Sequence, residues 1–127
     1  MLSNFLLPIL VVDDNKSITG VLAALLHKIG FKDVDEVHDG VTALQKIIEG
    51  RYGLVISDWQ MDPVTGYDLL QALRNDDTLA RIPFIMITAD SDIKKVIGAK
   101  NAGVDGYITK PFDVETLRSK IEAALIA

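Results

Sequence analysis

Five short strand-like runs alternate with five segments whose apolar residues recur at helical spacing, and this alternation constrains the fold most. The strand-like runs are residues 6–12, 33–37, 54–57, 84–87 and 107–108, and the helical segments are 18–29, 41–48, 67–74, 93–97 and 114–125. Gly30 and Gly50 mark the ends of the first two helices, and Asp113 is a predicted N-cap for the last. Strands joined through helices run parallel, so we predict an α/β fold with helices on both faces of one sheet.

The order of the strands follows from their polarity. The first, third and fourth runs are continuously apolar, as expected for central strands that are covered on both faces. The second and fifth runs contain polar residues and are predicted edges. The order 2-1-3-4-5 meets both conditions and is a common doubly wound arrangement. The length of 127 residues fits one domain spanning residues 1–127.

Composition excludes several classes of function. The net charge of −5 and the isoelectric point of 4.8 disfavour a nucleic-acid partner, because phosphate backbones are bound by basic surfaces. The chain has no cysteine, so disulfide frameworks and thiolate metal sites are excluded. No apolar run approaches the ~20 residues that cross a bilayer, and residues 1–7 lack the features of a signal peptide. We therefore expect a cytoplasmic protein with no membrane partner.

Polar residues stand directly after the apolar runs. Asp13 and Asp14 follow the first, Asp58 follows the third, Thr88 follows the fourth, and Lys110 comes shortly after the fifth. In a doubly wound sheet, ligands bind beyond the carboxyl ends of the strands, where the strand order reverses. These side chains are therefore predicted to converge on one crevice.

Three carboxylates in one crevice repel each other by about 4 kcal/mol per pair at ~4 Å and an effective dielectric of about 20. Lys110 offsets one of the three charges. A hard divalent cation with oxygen ligands offsets the rest, and Mg²⁺ fits better than Ca²⁺ because no EF-hand spacing is present. The alternative is that these acids only cap helices and form turns. Asn15 is itself a candidate cap for the first helix, which leaves Asp13 and Asp14 for another role.

Four segments together resemble the receiver-domain family of response regulators, particularly its single-domain chemotaxis members. They are Val11-Val12-Asp13-Asp14, Ile56-Ser57-Asp58-Trp59, Ile87-Thr88-Ala89 and Lys110-Pro111-Phe112. The resemblance covers essentially the whole chain and implies a flavodoxin-like fold. It also implies that Asp58 is the phosphoacceptor, with Mg²⁺ held by Asp14, Asp58 and the backbone carbonyl of Gln60, and by Asp13 through water.

The resemblance assigns the remaining site residues as well. Lys110 would pair with the phosphoryl oxygens through a cis Lys110–Pro111 peptide, and Thr88 would donate a hydrogen bond to them. Tyr107 would turn inward when Thr88 moves, which changes the face formed by the fourth helix, fifth strand and fifth helix.

The function that this family implies is a phosphorylation-activated switch in two-component signalling. Such a domain catalyses its own phosphorylation and slow dephosphorylation and is not a conventional enzyme. The expected partners are a histidine kinase as donor and a downstream protein, such as a flagellar motor switch or a phosphorelay member. A phosphatase is a further expected partner, and the expected state is monomeric.

One segment departs from the family pattern, in which a methionine-proline pair follows the phosphoacceptor. Here Met61 is followed by Asp62, and the proline comes at Pro63. Three other readings remain open. A haloacid-dehalogenase phosphatase also uses a strand-end aspartate with Mg²⁺, but its Asp-x-Asp signature is absent. A flavodoxin-like redox protein shares the strand order, but here the first loop is acidic where the flavin phosphate would bind. A receiver domain cut from a larger protein would keep the same chemistry.

Overall fold

The computed structural model describes residues 4–89 and 93–126 and contains the predicted alternation of strand and helix. The strands are β1 (Ile9–Val12), β2 (Val34–Val37), β3 (Leu54–Asp58), β4 (Phe84–Thr88) and β5 (Gly106–Thr109). The helices are α1 (Lys16–Ile29), α2 (Gly40–Ile48), α3 (Gly66–Arg74), α4 (Ile93–Asn101) and α5 (Val114–Ile126). Among the described residues, no helix is both long and apolar enough to cross a membrane.

The five strands form one parallel sheet in the order β2-β1-β3-β4-β5, which confirms the predicted topology. The register aligns the carboxyl ends of the strands. Val12 lies beside Ser57, Asp58 beside Ile87, and Thr88 beside Thr109. The residues that follow β1, β3 and β5 therefore emerge at the same edge of the sheet.

Alternate residues of the central strands point to opposite faces, so the sheet has a core on each side. One face packs against α1 and α5, with Ile9, Val11 and Ile56 meeting helix residues such as Leu26 and Leu117. The other packs against α2 and α3 through a separate cluster (Leu10, Val12, Val55, Ala43, Ile47, Leu69 and Leu73). Because β1, β3 and β4 are buried on both faces, their continuous apolar character is explained.

Several apolar residues that the helical spacing included are on the surface. Val21, Val41, Ile48 and Ile97 are each about half or more exposed. The first strand also begins later than predicted, at Ile9, and Leu6 is exposed. The backbone turns before Pro8, where the Leu7 amide donates to the carbonyl of Asn4. The other strand boundaries agree with the predictions to within one residue.

Side chains at loop ends satisfy the first amides of the helices. Asn15 accepts from the Ser17 amide at 2.9 Å and Asp113 accepts from the Thr116 amide at 2.8 Å, which confirms both predicted caps. The Thr116 amide lowers the pKa of Asp113 because it stabilises the ionised carboxylate. Thr65 and Asp68 form a reciprocal capping box at the start of α3. Asp13 and Asp14 are thus free of a capping role at α1.

Arg74 joins several chain segments at the amino ends of β4 and β5. Its guanidinium donates to the carbonyls of Ala80, Ile82 and Gly103 and to the carboxylate of Asp105 at 2.9 Å. The same Asp105 oxygen accepts the first amide of β4, from Phe84. This network fixes the end of the sheet opposite the polar residues described above.

We predict that Gly66→Ala destabilises the protein by about 3 kcal/mol, the upper range for overpacking a rigid site. A Cβ at position 66 would lie 2.1 Å from the backbone oxygen of Asp58 and 2.9 Å from the sulfur of the buried Met86 side chain, so the nearest contact is with backbone that cannot rotate away. The matched control is Gly20→Ala on the exposed side of α1, where a Cβ meets nothing within 4 Å. That variant should gain about 0.5–1 kcal/mol from helix propensity. Urea denaturation compares the two, and equal stabilities would contradict the close approach of α3 to Asp58.

Candidate functional site

Three carboxylates lie together at the carboxyl edge of the sheet, as the sequence predicted. Oxygens of Asp13, Asp14 and Asp58 all lie within 4.8 Å of one another. The loop that carries the first two is held by hydrogen bonds from its backbone amides. The Asp13 amide donates to the carbonyl of Val37, and the Asn15 amide donates to Asp13 Oδ1 at 2.9 Å. Neighbouring strands therefore bring together acids that are 44 residues or more apart in the chain.

Lys110 is the cation of this cluster. Its Nζ lies 3.2 Å from Asp13 Oδ2 and 3.2 Å from Asp58 Oδ1, so one ammonium bridges both carboxylates. The Lys110 backbone is fixed because its amide donates to the Thr88 carbonyl at 2.7 Å. The Lys110–Pro111 peptide is cis, as expected.

Burial and charge both act on Asp58, whose side chain is 6% exposed. Burial raises the pKa of Asp58, and the nearby Asp13 carboxylate raises it further, while Lys110 opposes both. The balance leaves the pKa of Asp58 above its ordinary value. For Lys110, burial alone lowers the pKa, but Asp58 and Asp13 outweigh it and the net pKa is raised. The lysine therefore stays charged, whereas the ionised form of Asp58 is energetically unfavourable in the folded protein.

The cluster suits a hard divalent cation. Its donors are all oxygen atoms, and three carboxylates against one ammonium leave a charge of −2 when all are ionised. Asp14 is exposed, so the cluster is open to solvent on one side. Gln60, whose backbone carbonyl is a predicted further ligand, is also exposed and follows Asp58 by two residues. The residues present fit a metal site.

The two predicted switch residues lie on neighbouring strands. Thr88 is fully buried at the carboxyl end of β4. Tyr107 on β5 is half-buried, lies beside Met86 in the register, and packs against the core cluster on the α2 and α3 face. Their positions agree with the sequence prediction, and their roles stay predictions.

The surroundings of Trp59 were missed at the sequence level. Its ring stacks on Tyr67 of α3, with centroids 5.3 Å apart and planes at 25°. The Nζ of Lys95 on α4 lies 5.7 Å from the Trp59 ring centroid. No motif or periodicity links three residues so far apart, so no sequence signal could have found this contact. Asp62 is exposed and lies outside the carboxylate cluster, and the Asp62–Pro63 peptide is cis.

A family model for the response regulator receiver domain matches residues 9–122. The chain belongs to this family. It is therefore a receiver domain, a signalling switch that phosphorylation activates. This assignment decides against the phosphatase and redox alternatives, and the family expectation from the four sequence segments is confirmed.

Individual relatives agree with the assignment. The chain is 40% identical to the chemotaxis protein CheY of Pseudomonas aeruginosa over 114 residues, which cover 90% of this chain and 92% of the relative. Among solved structures, chemotaxis protein CheY4 of Vibrio cholerae is 30% identical, with a TM-score of 0.86 over 94% of this chain and 98% of that one. The receiver domain of the Pseudomonas aeruginosa sensor histidine kinase PA1611 is 26% identical, with a TM-score of 0.85 over 96% and 99%. That structure has a magnesium ion coordinated in its active-site cleft.

We predict that Asp58→Asn stabilises the metal-free receiver domain by on the order of 1 kcal/mol, a typical single-substitution effect. The raised pKa means that the folded protein disfavours ionised Asp58, and asparagine removes that charge. A raised carboxyl pKa costs stability at neutral pH, and the cost disappears as pH falls through the folded-state pKa toward the ordinary value of 3.8. The difference between the variants should therefore be largest at neutral pH and shrink on acidification.

Urea denaturation with a chelator present checks this expectation. Asp62→Asn is the matched control, since it removes an exposed carboxylate from the same loop. It should leave the free energy of unfolding within ~0.5 kcal/mol of the parent. A destabilised Asp58→Asn variant at neutral pH would contradict the electrostatic account of the cluster.

Proposed function

We propose that Asp58 accepts the phosphoryl group that activates this receiver domain. The observation that carries the proposal is the position of its buried carboxylate, which lies in the three-acid cluster and 3.2 Å from the ammonium of Lys110. A phosphoacceptor needs an anionic oxygen that meets the donor and a cation that takes up charge as the bond forms. Asp58 combines a fixed strand-end position with a raised pKa, because burial and the nearby Asp13 carboxylate disfavour its ionised form.

The residues that would hold Mg²⁺ are Asp14, Asp58 and the backbone carbonyl of Gln60, with Asp13 contributing through water. When bound, the ion supplies positive charge that offsets the carboxylates and the phosphoryl oxygens. The choice of Mg²⁺ is supported by the all-oxygen donor set and by the magnesium ion in the PA1611 receiver domain.

The residues of the chain have distinct roles in the transfer. A carboxylate oxygen of Asp58 forms the new bond to phosphorus as the bond between phosphorus and the donor's imidazole nitrogen breaks. The ammonium of Lys110 pairs with a phosphoryl oxygen, and the Thr88 hydroxyl donates to another. Because phosphoryl transfer depends on positioning and charge neutralisation, no further general base is needed at Asp58.

The switch follows from contacts that exist only after phosphorylation. The phosphate adds acceptor oxygens that draw Thr88 toward them, and Tyr107 turns inward to fill the space. A shift from 1:99 to 99:1 requires about 5.5 kcal/mol of preference for the active state. Two charge-assisted hydrogen bonds of about 1.5–3 kcal/mol each cover much of this requirement.

We predict that Mg²⁺ and acetyl phosphate give a single phosphoryl adduct on the wild-type protein and none on Asp58→Asn. The adduct should be alkali-labile, as an acyl phosphate is, and a chelator should prevent it. Intact-protein mass spectrometry measures the result.

Two further variants sharpen this test. Asp62→Asn is the matched control and should be labelled like the wild type, because this exposed acid lies outside the cluster. Lys110→Gln should be labelled at least tenfold more slowly, since about 1.4 kcal/mol of lost charge stabilisation is enough for that factor. Full labelling of Asp58→Asn would show that a residue other than Asp58 is the phosphoacceptor.

The partners proposed for the receiver domain are a histidine kinase as donor, a downstream protein, and a phosphatase that returns the switch to rest. Identity of 40% to CheY of Pseudomonas aeruginosa supports a role in chemotaxis, with a flagellar motor switch protein as the target. A phosphorelay protein is the other candidate, because a sensor-kinase receiver domain is also structurally similar. We propose residues 1–127 as one receiver domain that acts in the cytoplasm.

We predict that a peptide from a flagellar motor switch protein binds the phosphorylated domain at least tenfold more tightly than the unphosphorylated one. A ligand shifts a two-state equilibrium only through a difference in affinity, and phosphorylation must produce that difference here. Fluorescence anisotropy of a labelled peptide, with and without acetyl phosphate, measures both affinities. Equal affinities would contradict the proposed role in chemotaxis but not the proposed phosphorylation of Asp58.

A further inference from the structure

Trp59 lies between Asp58 and Gln60, two of the proposed metal ligands, and its backbone is fixed on both sides. Its amide donates to the carbonyl of Ile87 on β4 at 3.0 Å. Its carbonyl accepts from the amide of Gly66 at the start of α3, also at 3.0 Å. The backbone of Trp59, directly before Gln60, is thus hydrogen-bonded to both β4 and α3.

The Trp59 side chain makes the next attachment. Its ring stacks on Tyr67, the second residue of α3, with centroids 5.3 Å apart. Stacked aromatic pairs are stabilised beyond their buried area, and the large planar contact restricts the rotation of both rings. Tyr67 is itself held by Gln71, whose Nε2 donates to the Tyr67 hydroxyl at 3.2 Å.

Lys95 adds a contact from α4. Its ammonium lies 5.7 Å from the Trp59 centroid, within the range in which a cation is attracted to an aromatic ring. One indole therefore joins three parts of the molecule: the loop after β3, the start of α3, and α4.

We infer that Tyr67 and Lys95 are positioning residues, which hold Trp59 and through it orient the Gln60 carbonyl toward the metal. Gln60 is exposed and is joined directly to Trp59 and Met61, whose positions constrain the backbone at residue 60. On one side stands the stacked Trp59, and on the other the buried Met61. This inference rests on the proposed function, because it assigns a purpose to the stack only if Mg²⁺ binds there.

The consequence is reciprocal coupling between metal binding and α4. If Lys95 favours the Trp59 orientation that binds metal, then metal binding favours the α4 position that brings Lys95 over the ring. This link uses the side chains of Trp59 and Lys95, whereas the proposed switch uses those of Thr88 and Tyr107.

Tyr67→Leu tests the inference, because leucine keeps an apolar side chain on α3 and removes the stack. We expect the dissociation constant for Mg²⁺, measured by isothermal titration calorimetry, to rise by about two- to tenfold, the range of one aromatic pair. Tyr67→Phe keeps the ring and loses only the hydroxyl contact to Gln71, so it should restore wild-type affinity. Labelling by acetyl phosphate at saturating Mg²⁺ should be unchanged in both variants, as expected for residues that position a ligand.

A second pair of variants separates the ring contact of Lys95 from its charge. Lys95→Gln and Lys94→Gln each remove one positive charge from the same turn of α4. Loss of charge alone would strengthen Mg²⁺ binding in both variants. We expect Lys95→Gln to bind Mg²⁺ about two- to fivefold more weakly than Lys94→Gln, because it also loses the contact with Trp59.

The results separate a failure of the positioning role from a failure of the proposed metal site. If the wild type shows no Mg²⁺ binding, the proposed site itself fails. If the wild type binds Mg²⁺ and Tyr67→Leu binds it equally well, only the positioning role is overturned. If Tyr67→Phe is as weak as Tyr67→Leu, the hydroxyl rather than the stack is responsible, and the inference also fails. Urea denaturation of each variant verifies that the affinities are measured on folded protein.

Discussion

The concentration of negative charge at one edge of the sheet is the constraint on which the rest of the site depends. Asp13 and Asp58 are buried close to each other, and the ammonium of Lys110 bridges them. Such an arrangement is unfavourable in the resting protein, because burial and repulsion both oppose ionisation of Asp58. A divalent cation can relieve this imbalance, because it offsets the excess negative charge of the carboxylates. The proposed metal site is thus electrostatically incomplete without its ion.

The doubly wound fold makes this concentration possible. Parallel strands carry their carboxyl ends to one edge, so one or two residues at or just after a strand end are enough to contribute to the site. Two full hydrophobic cores, one on each face, provide the stability that permits a locally unfavourable cluster. The close approach of Gly66 to the Asp58 backbone adds rigidity at the residue that matters most. Fold and site are linked because the strands that form the core also position the acids.

The sequence was sufficient for the strand order and for the convergence of the site residues. Both depend on simple rules: continuous apolar strands are central, and polar residues after them meet at one edge. The start of β1 was predicted too early, because apolar character alone placed Leu6 in the strand. Leu6 precedes Pro8 and is exposed. Helical spacing alone also could not tell that Val21 and Ile97 face outward. The Trp59 stack was beyond prediction because it depends on how the loop after β3 lies against the start of α3.

Arg74 lies at the end of the sheet opposite the acids. The charge of Arg74 is paired, whereas the negative charge of the acid cluster is only partly offset. Carbonyls and the Asp105 carboxylate satisfy its guanidinium, and Asp105 also closes the start of β4. Strands of four or five residues, at about 3.3 Å per residue, set these two ends about 15 Å apart. The two ends of the strands therefore differ: the Arg74 end stabilises the fold, and the acidic end carries the proposed phosphorylation site. Inherited variation at the Arg74 end is expected to change how much folded receiver domain a cell contains, whereas variation at the acidic end is expected to change the proposed response to phosphorylation.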